Sequence, residues 1–195
     1  MEPFTFVKSK AVPLDRVNVD TDQIVPKQFL KLTGKTGYGK YLFYDWRFDA
    51  QGKPRQDFVL NEQKYAGRKI LLARDNFGSG SSREHAAWAL FDYGFKAIIA
   101  PSFADIFYNN CSKNGILAVN LRSDEVDYLF ENKDLDILVD LHSQNVTAGK
   151  LHTRFEIDEF RKTVLLEGLD SIGLTLKLKE LIDHFEAKKT TVIPA

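Results

Sequence analysis

A single cysteine, Cys111, stands among the 195 residues. It excludes any disulfide within the chain. It also excludes an iron–sulfur cluster held by this chain alone, because such a cluster draws on several thiolates. The four histidines are scattered, none beside another, so no His-rich metal motif forms. Neither sign of charge is in excess: 27 Lys and Arg balance 27 Asp and Glu. A basic field able to recruit nucleic acid is therefore missing. No apolar run approaches the roughly 20 residues that span a bilayer. The opening Met1-Glu2-Pro3-Phe4-Thr5-Phe6 lacks the basic start and apolar stretch of a secretory signal. Repeats and low-complexity tracts are also missing. The expectation is a cytoplasmic chain with no nucleic-acid or membrane partner and no metal ligands of its own.

Hydrophobic residues make up 44% of the sequence and aromatics 12%, enough for a substantial core. The length suits one domain over 1–195. Phe4–Val12 alternates as a strand stopped by Pro13, and residues 18–31 read as a polar loop with one helical turn after Pro26. Residues 31–40 carry three glycines and three lysines with little to bury, and are expected to be mobile. The aromatic stretch Tyr41–Phe48 reads as a short helix or lid. Strands and helices then alternate. Lys69–Ala73, Lys96–Ala100 and Ile116–Asn120 are strands; Ser82–Tyr93, Phe103–Lys113 and Ser123–Asn132 are helices. Asp136–Leu141, Asn145–Ala148 and Leu151–Ile157 are further strands. Helices near Asp158–Glu167 and Ser171–Ala187 follow, and the last residues form a loose tail. The pattern predicts an α/β fold. Cys111 falls in a helical pattern, as a partly buried structural thiol.

The residues with most chemistry are Phe77-Gly78-Ser79-Gly80-Ser81-Ser82-Arg83-Glu84-His85. They lie between a strand and a helix. Two glycines allow a sharp turn and close approach to a ligand. Ser81 and Glu84 have capping-box spacing. Free N–H groups at a helix start, with Arg83 beside them, favour an anion. The loop could be no more than a capped glycine turn. A phosphate loop is a poorer fit, since the Gly-Lys-Ser/Thr ending is missing. A nucleophile elbow does not fit, because Gly-x-Ser-x-Gly is not present.

This stretch resembles the signature of the swivelling domain of the aconitase superfamily, with Ser79 where aconitases proper have a glutamate. A second stretch, Asn18-Val-Asp-Thr-Asp-Gln-Ile-Val-Pro-Lys-Gln-Phe-Leu30, is similar to the other hallmark of the group. The Gly39–Arg47 segment extends the likeness. Taken together, the chain resembles the small-subunit family of bacterial isopropylmalate dehydratases over essentially its whole length.

The resemblance implies a swivelling β/β/α domain and a role in leucine biosynthesis, moving a hydroxyl between neighbouring carbons by removing and re-adding water. It implies a large partner subunit that carries a [4Fe-4S] cluster as Lewis acid, and a small dicarboxylate as substrate. By motif it makes Ser81 the base, and Ser82 a hydrogen-bond donor to substrate or a second cap. Arg83 becomes a planar clamp for a carboxylate. Asp22 would orient a histidine across the active site, and Thr21 would touch substrate. Leu30 and Leu32 could line a pocket for the alkyl group, or belong to a solvated lid. Asp20 reads as an Asx-turn residue, Glu84 as the structural half of a cap and His85 as helix packing. Asn109, Asn110 and Asn114 read as turn or cap residues. Two other readings stay open: a sibling hydro-lyase acting on methylmalate, citraconate or homoaconitate, and a non-catalytic anion-binding module.

Overall fold

The computed structural model describes residues 1–31 and 34–188. Two four-stranded sheets form the frame. The first strand, β1 (Phe6–Ser9), belongs to one sheet and β2 (Ala11–Pro13) to the other. The alternation of Phe4–Val12 therefore hides a change of sheet at Lys10. Alternation shows which side chains share a face, but not which strand is the neighbour.

After β2 come two one-turn helices, α1 (Thr21–Ile24) and α2 (Tyr44–Arg47). The chain then alternates through β3 (Ile70–Leu72), α3 (Glu84–Tyr93), β4 (Ala97–Ala100), α4 (Asp105–Lys113), β5 (Leu117–Asn120) and α5 (Ser123–Glu131). Three antiparallel strands follow: β6 (Ile137–Asp140), β7 (Asn145–Ala148) and β8 (Leu151–Arg154). Three helices close the described chain: α6 (Glu159–Glu167), α7 (Ser171–Leu176) and α8 (Lys179–Lys188). The expected helix Ser171–Ala187 is thus divided, because Ile172, Leu174, Leu176 and Leu178 recur every second residue and no single helical stripe can collect them. The expected tail from Lys189 on lies outside the described residues.

The first sheet is parallel, in the order β2-β3-β4-β5; the second is antiparallel, β1-β6-β7-β8. Strands β3 to β5 are almost wholly apolar because both faces of the parallel sheet are covered. Ile70, Leu72, Ala97, Ile99, Leu117 and Val119 face Val139 and Val146 of the other sheet. Leu71, Ile98 and Ala118 face the opposite way, with Ala86, Ala89 and Leu90 of α3 and Phe107 of α4. These layers are the sheet, sheet and helix expected of a swivelling β/β/α domain. Gly94 takes the left-handed conformation, φ +113°, that ends α3.

One strained residue bears on the site. Phe43 is fully buried, yet holds φ +49°. Its N–H donates to the Ile24 carbonyl at 2.8 Å, and its ring stacks on Trp46 at 5.5 Å between centroids. The contacts over-determine an unfavourable backbone and thereby fix α1 against α2.

Candidate active site

The two motifs lie about 60 residues apart in sequence, yet meet because β2 and β3 are parallel neighbours. Each leaves its strand at the same sheet edge, the carboxyl end. The two segments then run side by side. Asn18 N–H donates to the Asp75 carbonyl at 2.9 Å, and Gly78 and Ser79 N–H donate to the Val19 carbonyl at 2.7 and 3.2 Å. Thr21 N–H donates to the Ser79 carbonyl at 2.9 Å, and Asp20 bridges Ser79 in parallel sense. Gly78 is required twice over. Its φ is +78°, and an added Cβ would lie 2.1 Å from Cγ of the Phe107 ring.

Ser81 and Ser82 emerge from this zipper into solvent. The Ser81 hydroxyl makes no hydrogen bond with any described residue. The capping box expected of Ser81 and Glu84 does not form. Arg83, extended at φ −135° and ψ 107°, is the residue before α3, and no side chain caps that helix. Helix α3 therefore starts at Glu84 instead of Ser82. The Glu84 carboxylate turns the other way, accepting from Asn114 Nδ2 at 2.9 Å and facing Lys35 Nζ at 3.8 Å. Asn114, through Oδ1, also accepts from the Trp88 indole at 3.0 Å. This tie between α3 and α4 escapes the sequence reading, which sees Asn114 only as a turn residue. The first turn of α3, which follows Ser81 and Ser82 in the chain, has no side-chain cap.

Arg83 is turned toward α1. Its Nη2 donates to Asp22 Oδ2 at 2.9 Å and its Nη1 to Oδ1, a bidentate ion pair. The Arg83 side chain is 15% exposed and that of Asp22 49%. Two residues expected to act separately, one on substrate and one on a partner's histidine, hold each other here.

Thr21, expected to touch substrate, is only 1% exposed and donates its hydroxyl to the Ser81 carbonyl at 2.9 Å, so it lies behind the loop. Asp20, expected as an Asx-turn residue, is the N-cap of α1: its Oδ1 accepts from Gln23 N–H at 2.8 Å, while Gln23 Oε1 accepts from Asp20 N–H at 3.0 Å. The Asp-x-x-Gln spacing was available in the sequence as the signal for this box.

Leu30 is half-buried against the helix-side core, beside the Phe29 ring that stacks on Tyr41 at 4.1 Å. Leu32 lies outside the described residues. Within residues 34–40, Tyr38 and Gly39 are buried, and Gly39 N–H donates to Asp92 Oδ2 at 2.7 Å. Lys35 reaches across α3 to Glu84 and lies 5.5 Å from the centre of the Trp88 ring. His85 packs against the Trp88 and Tyr38 rings at 4.6 and 5.3 Å, and burial lowers its pKa.

The described residues do not fit an iron–sulfur cluster. No three His, Cys, Asp or Glu among them converge as metal ligands. Cys111 is fully buried in α4, and burial alone pushes its thiol far above the ordinary value. A neutral, enclosed thiol is no ligand. Among the described residues no helix is long and apolar enough to cross a membrane.

The two-sheet frame and the glycine–serine loop at its edge define an aconitase-type swivelling domain, and residues 1–124 match the aconitase C-terminal domain family. The chain is 56% identical over 202 residues to a 3-isopropylmalate dehydratase small subunit of Leptospira interrogans, covering 100% of this chain and 98% of that one. It is 52% identical to the small subunit of Shouchella clausii (98% and 99% covered) and 51% to that of Brevibacillus brevis (97% and 100%). The crystal structure of a 3-isopropylmalate dehydratase from Methanocaldococcus jannaschii superposes with a TM-score of 0.67 at 26% identity, covering 93% of this chain and 99% of that one. The chain belongs to the family of 3-isopropylmalate dehydratase small subunits.

Proposed function

We propose that this chain is the small subunit of a hydro-lyase that converts 2-isopropylmalate to 3-isopropylmalate through 2-isopropylmaleate in leucine biosynthesis, and that Ser81 takes and returns the proton. One observation carries the reading. The aspartate turn and the serine loop converge at one sheet edge and leave the Ser81 and Ser82 hydroxyls facing solvent beside the Arg83–Asp22 pair. Half a site is displayed.

Ser81 Oγ accepts the carbon-bound proton as dehydration proceeds and delivers it to the neighbouring carbon on rehydration. A serine hydroxyl is too weak a base at neutral pH without stabilisation of its alkoxide. The uncapped N–H groups of α3 supply that stabilisation in part. Arg83 supplies less charge than its sequence position promises, because Asp22 already neutralises it. Its remaining N–H groups are the ones available to a substrate carboxylate, and Ser82 offers a hydroxyl beside them. Departure of the substrate hydroxyl is a task that no described residue here is equipped for. In this reading it falls to the large subunit, which would carry the [4Fe-4S] cluster as Lewis acid. Identities of 51–56% along the whole chain to small subunits of this name favour the isopropylmalate substrate over methylmalate, citraconate or homoaconitate.

The test is reconstitution. The purified chain is mixed with a cluster-loaded large subunit from a relative, and the absorbance of 2-isopropylmaleate is followed with several alkyl-malates. Turnover that needs both chains and prefers 2-isopropylmalate is expected. Turnover by this chain alone, or none with any large subunit, would sink the reading.

A further inference from the structure

Helix α1 is a single turn, yet it is anchored at both ends. Its N-terminus is closed by the reciprocal Asp20–Gln23 hydrogen bonds. Its C-terminus is held by the strained Phe43 through the Ile24 carbonyl. Between them, Thr21 is one of only two polar residues buried among the described residues, the other being Ser112. Both hydrogen-bond donors of Thr21 go to the serine loop. The amide donates to the Ser79 carbonyl at 2.9 Å and the hydroxyl to the Ser81 carbonyl at 2.9 Å. The two carbonyls flank Gly80, at φ +86°, where an added Cβ would lie 3.2 Å from Asp20 Cβ and 3.6 Å from Thr21 Oγ1. The turn at Gly80 is therefore pinned on both sides by one buried residue.

We propose that Thr21 is a positioning residue for Ser81: its buried hydroxyl fixes the Ser81 peptide, and through it the direction of Ser81 Oγ. The inference rests on the reading of Ser81 as proton acceptor. Among the described residues Ser81 has no other anchor: its side chain bonds none of them, and it lies outside α3, so helical hydrogen bonds do not set its backbone. A single hydroxyl decides whether residue 81 has one orientation or several. Proton transfer is steep in geometry: a misplacement of about 1 Å can cost roughly a hundredfold in rate.

A merely structural role predicts something different. Ser81 is exposed, so water can replace the lost donor at its carbonyl, and a valine of the same shape fills the Thr21 site. On that view Thr21→Val would melt slightly earlier and turn over normally once assembled.

The experiment compares Thr21→Val, Thr21→Ser and Ser81→Ala with wild type, each purified as the assembled complex with the same large subunit at matched cluster content. Thr21→Val is expected to lower kcat by ~10–100-fold with KM within about twofold, the signature of misplaced catalytic geometry. Its primary isotope effect with substrate deuterated at the abstracted position should rise, since proton transfer becomes the slow step. Thr21→Ser, which keeps the hydroxyl, should recover to within about threefold of wild type on the same argument. Should the valine variant fail to assemble, Thr21→Ala, which lacks the hydroxyl and the bulk, takes its place in the same measurement. If Ser81→Ala is inactive but the hydroxyl-free variants keep wild-type kcat and isotope effect, the positioning role is wrong and the base assignment stands. If Ser81→Ala itself keeps its rate, the underlying reading fails first.

Discussion

Arg83 holds both carboxylate oxygens of Asp22, joining α1 to the residue that precedes α3. An arginine has five N–H donors in a rigid plane. Asp22 takes one from each terminal nitrogen, which leaves the Nε side free. The pair therefore aims the guanidinium as well as neutralising it. A lysine could meet Asp22 or a substrate carboxylate as a point charge, but could not hold both in one plane.

Arg83→Lys should accordingly lose ~2–4 kcal/mol in kcat/KM, the scale of a truncated hydrogen-bonded charge pair. Stability should change by only ~0–1 kcal/mol, since the Asp22 carboxylate is half-exposed and solvent screens the pair. Steady-state kinetics of the reconstituted enzyme and urea denaturation of the free chain measure the two. Kinetics within twofold of wild type would remove Arg83 from the site.

Ser81→Ala separates chemistry from architecture. Turnover should fall by a factor of ~100 or more if Ser81 carries the proton. The melting temperature should barely move, because the hydroxyl bonds no described residue and caps no helix. Ser82→Ala, also exposed, should be milder in rate and equally silent in stability. Retention of more than about a tenth of wild-type kcat by Ser81→Ala is incompatible with the proton-transfer magnitude just used.

Much of the frame was legible in the sequence because buried parallel strands are written as short apolar runs. Ile70–Leu72, Ala97–Ala100 and Leu117–Asn120 stand within one residue of their expected starts. The meeting of the two motifs was legible only through resemblance. Nothing local in Asn18–Asp22 says that it will lie against Asp75–Ser79; that follows from the parallel pairing of β2 with β3, which is a long-range choice. The Ser81–Glu84 box misled for a related reason. Spacing reports which residues can cap a helix, whereas tertiary partners decide, and here Asn114 and Lys35 take Glu84. Thr21 was given its substrate contact by resemblance alone, and its burial was not legible because a one-turn helix points successive side chains about 100° apart, so Asp22 can face solvent while Thr21 turns inward.

The loop expected to be mobile has a definite inner boundary. Gly39 is buried, its N–H bonded to Asp92, and a Cβ there would lie 2.8 Å from the Tyr93 backbone nitrogen. Amide hydrogen exchange of the free chain should find residues 34–37 open within the fastest time points and Gly39 protected. Binding of the large subunit should slow exchange at 34–37. Equal protection across 34–39 in the free chain would mean that no mobile segment exists among them.

His85 gives a pH dependence with a definite sign. Packing against Trp88 and Tyr38 desolvates the imidazole and lowers its pKa; the Glu84 carboxylate opposes this and Arg83 reinforces it. The folded chain thus favours neutral His85 more than the unfolded chain does. As pH falls through the ordinary histidine value near 6.5, the unfolded state binds its proton first and stability declines. The contribution is whole above that value, is lost progressively below it, and levels off once pH passes the lowered folded value. Other histidines and the carboxylates titrate in the same interval, so the informative quantity is a difference. Urea midpoints of wild type and His85→Gln should be compared from pH 8 to pH 5. The stability of wild type relative to the variant should be constant at the alkaline end and decline with acidification. A flat difference would show that burial does not govern His85. A rise toward acid would show that the Glu84 charge outweighs desolvation, since a raised folded pKa favours the folded state at low pH.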